Sequence, residues 1–310
     1  MFLKNKYLKV IVLFVGFQMF AQQQSQYTQY MYNNFSINPA FTGYRNSLSA
    51  VLLHRSQWMG FEGAPTTQTF SIQTPLKDNV SGVGLDFYND KIGEVNNMAI
   101  SGNYSYTIET NSFNIAFGVK AGISRVSIDF SKLTLENQSD KSFENINNKI
   151  APQIGSGALI YNEKFYFGLS VPNILQTTYV KANAAQNILK DANERMNFYA
   201  MGGYVFDFSD SLAFHPNVVC KIIQGAPAQF DFTGNFVYDK KITFGLGYRH
   251  DAAFSALAAV QISESFLIGV SYDYDTTKFS NYNSGSGEFV LRYELFNNLI
   301  NRRIINPRVF

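Results

Sequence analysis

The sequence predicts an all-β protein, a transmembrane antiparallel β-barrel of the outer-membrane type with about 14 strands, and three observations predict it. The first is composition: of 310 residues, 46% are hydrophobic and 16% aromatic but only 15% charged, against roughly 25% charged in ordinary globular domains. Such a chain has something other than water facing much of its surface. The second is that no apolar run approaches the roughly 20 residues of a membrane helix, which leaves a closed barrel as the only way to span a bilayer. The third is a period of two, an apolar face alternating with a small or polar one, repeated through most of the chain.

Taken in order, the candidate strands are 47–56, 66–75, 79–89, 95–109, 112–127, 151–161, 164–172, 195–206, 211–223, 227–238, 241–250, 253–263, 266–275 and 286–295. The clearest alternation is Ile242, Phe244, Leu246, Tyr248 against Thr243, Gly245, Gly247, Arg249. Phe113, Ile115, Phe117, Val119 and Ile123 alternate with Asn114, Ala116, Gly118, Lys120, Gly122 and Ser124, which places Lys120 on a wet inner face, since lipid would reject it. Phe230, Phe232, Phe236 and Tyr238 oppose Asp231, Thr233 and Asn235, and Phe266, Ile268, Val270, Tyr272 and Tyr274 oppose Gly269, Ser271, Asp273 and Asp275. Phase is weakest in 47–56 and 151–161, where neither face is clearly apolar, and in 253–263, which is small or apolar throughout. Tyr104, Tyr106, Tyr161, Tyr204, Tyr238, Tyr248, Tyr272, Tyr274 and Tyr293 crowd the segment ends, as in the aromatic girdles where lipid meets water. A soluble β-sandwich or lipocalin-like barrel also alternates, but it turns its polar residues outward.

Tight connections fall at every second junction, and the others include the long ones, 57–65, 128–150, 173–194 and 276–285. Outer-membrane barrels have short periplasmic turns and longer external loops, so both termini are expected in the periplasm, although the loops after the ninth and eleventh strands are short. Residues 131–149 read as a solvated loop, and Ala182 to Glu194 as a short surface helix.

Ahead of the strands, Lys4 to Lys9, the apolar run Val10 to Phe17, and Ala21 before a run of glutamines form a signal peptide, 1–21. The expected organisation is then a periplasmic or lumenal segment 22–46, the barrel 47–295 and a periplasmic tail 296–310, with an outer-membrane location after export. No Cys follows the cleavage site, which argues against a lipid anchor. Without Lys4, Lys6 and Lys9, basic and acidic residues nearly balance, so there is no electrostatic footprint for nucleic acid. The single Cys220 can form neither an internal disulfide nor a cysteine metal site.

Chemistry is sparse. His54, His215 and His250 are the three histidines; His250 precedes Asp251, but neighbours in a strand face opposite sides. A serine near any of the three would be needed for a lipid hydrolase. No His-Glu-x-x-His, EF-hand or cysteine cluster is present, so the chain is expected to be no enzyme and to need no cofactor. Asp231, Asp273, Asp275, Lys120, Arg249 and Arg292 fall on inner faces, solvated or paired across the lumen in preference to lining a substrate channel. Gly82-Val83-Gly84 and Gly245-Leu246-Gly247 suit strand packing in the lumen, because no helix follows them as a phosphate loop requires.

One stretch is distinctive: Gln29-Tyr30-Met31-Tyr32-Asn33-Asn34, Ile37-Asn38-Pro39-Ala40-Phe41-Thr42-Gly43, His54-Arg55-Ser56-Gln57-Trp58, Gly63-Ala64-Pro65 and Ser71-Ile72-Gln73-Thr74-Pro75-Leu76. It resembles the start of the PorP/SprF family of the type IX secretion system in Bacteroidetes, and Asn306-Pro307-Arg308-Val309-Phe310 is similar to that family's tail, with Val309 where an aromatic is more usual. The resemblance implies a role in exporting or retaining type IX substrates at the cell surface, in particular large adhesins with a type B C-terminal domain, some of which serve gliding motility. It implies no enzyme. A passive pore for small solutes is the alternative reading.

The candidate partner-binding residues form three groups. Tyr30, Tyr32, Pro39 and Phe41 precede the first strand and need something to pack against. Trp58, Met59, Phe61 and Pro65 form an aromatic loop of the kind that anchors protein interfaces or folds inward to close the lumen. Arg302, Arg303, Arg308 and Phe310 make a basic tail suited to an acidic machinery partner or anionic lipid.

Overall fold

Strands rich in β-branched and aromatic residues pair through the whole chain until the last meets the first. A computed structural model describes residues 26–45, 47–78, 80–132, 146–180, 192–193 and 195–295. The barrel strands are β1 (Leu48–Ser56), β2 (Thr66–Pro75), β3 (Ser81–Ile92), β4 (Val95–Glu109), β5 (Asn114–Ile128), β6 (Ile146–Tyr161), β7 (Phe165–Val171), β8 (Asn197–Tyr204), β9 (Leu212–Ile223), β10 (Gln229–Tyr238), β11 (Ile242–Arg249), β12 (Ala253–Gln261), β13 (Phe266–Asp275) and β14 (Ser286–Leu295). Each is antiparallel to its sequence neighbours, and β1 pairs with β14 from Leu48 opposite Leu295 to Ser56 opposite Gly287, which closes a 14-strand barrel without edges. A two-residue continuation of β8, Phe206–Asp207, keeps the ladder on β9.

The alternation expected from sequence is the one that closes the barrel. Phe117, Val119, Ile123, Phe232, Phe236, Phe244, Leu246 and Tyr274 are exposed on the outer wall, where lipid replaces water. Asn103, Lys120, Asp231, Asn235 and Asp273 are buried on the inner one. Tyr104, Tyr106, Tyr204, Tyr238, Tyr248 and Tyr272 also face out. Tyr161 does not: it is 7% exposed and its ring meets that of Tyr44 at 5.0 Å inside the lumen. Half-buried Cys220 lies in β9 on the face opposite buried Val219 and Lys221.

Three boundaries move. β3 runs on to Ile92 and turns through Gly93 at φ 54°, so the connection after it is as tight as those at the other end. β6 begins at Ile146, which takes the end of the expected 131–149 loop into the sheet; the rest of that loop from 133 to 145 lies outside the described residues. Ala192–Asn193 pairs with Thr178–Val180 in a short antiparallel ladder, so that part of the expected helix is extended, and 181–191 lies outside the described residues. On this side of the barrel β4, β5 and β6 reach 15, 15 and 16 residues, beyond the 9–11 or so that cross the hydrocarbon core.

The barrel thus has a turn end, with 76–80, 110–113, 162–164, 239–241 and 262–265, and a loop end, with 57–65 and 276–285.

Candidate functional site: the threaded lumen and the aromatic rim

The lumen is occupied by the chain's own N-terminal segment. Residues 27–42 form three short helical turns, Tyr30–Asn33, Asn34–Ile37 and Pro39–Phe41, and nearly every side chain is buried. Asn38 sets the last turn: a residue before proline is pushed to extended backbone, its Oδ1 accepts the Ala40 N–H at 2.9 Å, and Pro39 takes the first helical position, where no donor is missed. Asn38 Nδ2 then donates to the Ala158 and Leu169 carbonyls of β6 and β7 at 3.2 and 3.3 Å. The same segment reaches β2 through Asn33 Nδ2 to Ser71 Oγ (2.9 Å), β4 through Ser105 Oγ to the Thr42 carbonyl (2.5 Å), and β5 through Lys120 Nζ to the Ser36 carbonyl (3.1 Å). It therefore crosses the lumen from wall to wall.

Glycines on the inner wall make room for it. A Cβ at Gly118 would fall inside the backbone of Pro39 and Ala40, and one at Gly157 would overlap Asn38 Oδ1. Around this cradle Tyr30, Met31, Tyr32, Phe35 and Phe41, each 1 or 2% exposed, pack with Val51, Leu53, Leu159, Tyr166, Leu257 and Val290 of the wall. Burial of each large side chain stabilises the seated thread by about 1.5–3 kcal/mol. The barrel's hydrophobic core is consequently central, between thread and wall.

A polar latch holds the thread near the loop end. Arg55, 2% exposed, bridges Asp273 at 2.7 Å and Glu288 at 3.3 Å. The Thr28 and Gln29 N–H groups donate to Glu288 at 3.0 and 2.8 Å, and the Thr28 hydroxyl donates to Asp273. Arg249 Nε pairs with Asp231 at 2.9 Å, and Gln26 Nε2 donates to the same carboxylate. Lower in the lumen Lys120 pairs with Asp86 at 3.3 Å and Arg45 with Glu294 at 3.0 Å, while the Arg292 guanidinium stands 5.6 Å from the Tyr32 ring centre. These lumen charges are paired, whereas Asp90, also buried, accepts from the Thr67 hydroxyl at 2.6 Å. A polar cavity with about 70 Å³ of free space remains beside Asp86 and Lys120, below Pro172 and Asn173.

The second feature is a rim at the loop end, where 57–65 lies along 276–285. The Met59 N–H donates to the Gly285 carbonyl at 2.8 Å, and the Ser284 N–H returns to Met59 at 2.8 Å. Trp58, at φ 46°, and Phe61 both meet the Phe279 ring edge-on, at 4.9 and 5.2 Å, and Tyr282 lies 6.2 Å beyond Phe279. Trp58 is half-buried and Pro65 buried, whereas Met59, Phe61 and Tyr282 are exposed, Tyr282 at 71%.

Of the sequence candidates, the structure therefore gathers Tyr30, Tyr32, Pro39 and Phe41 inside the lumen, with no free surface for a partner, and Trp58, Met59, Phe61 and Pro65 at the rim. Arg302, Arg303, Arg308 and Phe310 lie outside the described residues. Sequence reading passed over Glu288, Phe279 and Tyr282, and met Arg55 only inside a motif. The inner phase of β1, shared with Val51 and Leu53, is the signal that assigns Arg55 to the lumen. His250 does meet Asp251, at 3.4 Å, because both occupy an exposed turn and not a strand. His215 is buried in β9, and His54 Nε2 lies 3.2 Å from Ser56 Oγ. Among the described residues no carboxylate bonds His54, and no group of three His, Cys, Asp or Glu is placed to hold a metal.

A closed 14-strand antiparallel barrel with an aromatic outer wall and an occupied lumen defines an integral outer-membrane protein. A family model described as type IX secretion system membrane protein PorP/SprF matches residues 19–293. The chain belongs to the PorP/SprF family. Among solved structures it is similar to the CymD monoaromatic hydrocarbon channel, with a TM-score of 0.51 at 10% identity over 87% of this chain and 93% of that one. It also matches a FadL homologue of Pseudomonas aeruginosa, with a TM-score of 0.48 at 11% identity over 84% and 93% of the two chains. At these identities the CymD likeness speaks to the fold alone. No curated protein matches the chain.

Proposed function

We propose that this protein is a non-enzymatic component of the type IX secretion system that helps export a large surface adhesin with a type B C-terminal domain and anchors it at the cell surface, in the service of gliding motility where the adhesin is a moving one. The observation that carries the reading is the occupied lumen: a barrel filled from wall to wall by its own chain is poorly built to pass solutes, and its rim is left as the surface for a protein. Membership in a type IX membrane family supplies substrates and machinery as partner classes. The exposed Met59, Phe61 and Tyr282 have the aromatic and methionine character enriched at interface centres.

The hydrolase reading gains only the His54–Ser56 contact. Those residues are i and i+2 neighbours on the outer face of β1, at its loop end. The pair lacks the carboxylate that would orient the imidazole for nucleophilic catalysis.

Three variants test the proposal in cells. Replacing Phe61 and Tyr282 together by Ala is expected to lower surface retention of the adhesin while leaving the amount of folded barrel unchanged, measured by surface labelling against heat-modifiable gel mobility. Trp58→Ala, by contrast, removes a half-buried ring that props Phe279, and is expected to disturb the loop pair as well. Deleting 303–310, after the last strand, is expected to leave the barrel inserted and to reduce adhesin display. Normal display in the truncated protein would remove the tail from the mechanism.

A further inference from the structure

The direction in which the thread runs places the N-terminus of the exported protein. Its downstream end lies at the turn end: the Gly43 N–H donates to Gln73, near the close of β2, and Arg45 pairs with Glu294, next to the last residue of β14. Its upstream end lies at the loop end. Gln26 bonds Asp231, the third residue of β10, and Thr28 bonds Asp273 and Glu288, two residues from the loop-end termini of β13 and β14. Between them Asn33 and Ser36 meet Ser71 and Asp86 at mid-height. The segment thus passes through the barrel from one mouth to the other before β1 begins.

We propose that the mature chain, cleaved after Ala21, presents its N-terminus at the loop end, at the opposite mouth from the end of β14. Chain length fixes the side. Gln26 is anchored about two residues below the rim, or about 7 Å along a strand. Residues 22–25, fully extended, span at most about 14 Å, which clears that rim. The barrel is about 25 Å tall for a ten-residue strand tilted by about 40°, so the other mouth lies about 20 Å below Gln26, beyond the reach of four residues and behind a lumen already filled by Tyr30, Phe35 and Phe41. Both termini in the periplasm, the expectation from strand parity, would require the thread to enter from below, and its hydrogen bonds run the other way. The inference rests on the barrel and its thread and stands apart from the type IX reading. Its consequence is that the chain enters the lumen, at Gln26, from the same mouth as the aromatic rim.

The test is cysteine accessibility in the full-length protein expressed in its own outer membrane, in a Cys220→Ser background. Ser25→Cys is compared with Glu62→Cys, which marks the loop end, and Lys77→Cys, which marks the turn end, using a membrane-impermeant maleimide on intact cells. Labelling of Ser25→Cys at the level of Glu62→Cys, with none for Lys77→Cys until the membrane is permeabilised, is the expected result. Gln24→Cys gives a second reporter if the first variant fails to insert. Labelling that follows Lys77→Cys, labelling only after unfolding, or N-terminal sequencing that finds the first 21 residues still attached would each overturn the proposal.

Discussion

Replacing Arg55 by Leu is expected to produce the largest loss of stability of any single substitution in this barrel. The guanidinium bridges two carboxylates, Asp273 and Glu288, that are 1% and 4% exposed, with Arg249 a second cation 3.8 Å from Asp273; Glu288 holds the Thr28 and Gln29 backbone and Asp273 the Thr28 hydroxyl. Removing one partner of a buried ionic group leaves uncompensated charge and costs about 3–5 kcal/mol. Here the loss extends to the thread, because two like charges near each other repel where a cation had joined them. The expected outcome is a marked drop in the temperature at which the folded gel band converts to the unfolded one, together with protease cleavage in the segment 26–45. Arg55→Lys is expected to fall between, since a point ammonium cannot serve both carboxylates in the geometry of a planar fork. An Arg55→Leu barrel as heat-resistant as the parent, with an intact N-terminal segment, would mean that the latch does not hold the thread.

Valines at Gly118 and Gly157 together are expected to expel the thread without dismantling the barrel. Added carbons at these positions meet Pro39 and Ala40 backbone and the Asn38 amide, neither of which can swing aside as the tip of a long side chain would. Ordinary overpacking costs about 1–3 kcal/mol per site, and here two sites act on one three-residue turn. The strand ladders on β5 and β6 pass through backbone groups that the substitutions leave alone. The barrel is therefore expected to insert and retain heat-modifiable mobility, while planar-bilayer conductance rises from a leak to that of an open pore. Unchanged conductance would show that the lumen stays closed by other means.

Much of this architecture was legible in the sequence, and the places where it was not share one cause. Period two located every barrel strand, because lipid outside and polar groups inside impose opposite chemistry on alternate residues. Phase was ambiguous in β1, β6 and β12, and these are strands whose inner faces carry Val51, Leu53, Leu159, Leu257 and Ala259 against the thread. Apolar residues on an inner face remove the polar contrast that marks the phase. The same reasoning accounts for Tyr161, a girdle tyrosine by position that turns inward to meet Tyr44. Lumen charges such as Lys120, Asp231 and Asp273 were visible from their phase, but the link from Asp273 and Glu288 to Arg55 was not, because Arg55 comes from β1, which meets β14 only when the barrel closes. The rim was half legible: 57–65 announced itself through Trp58 and Phe61, whereas Phe279 and Tyr282 lie in a stretch whose nearness to it depends on that same closure.

The measurement that tests the central claim most directly is isolation of the tagged, full-length protein from detergent-solubilised outer membrane, with mass spectrometry of everything that accompanies it. A large surface protein with a type IX C-terminal signal, recovered in stoichiometric amount, is the predicted result, and it names the cargo. A barrel recovered alone, conducting steadily in planar bilayers, would contradict the account and make the protein a pore.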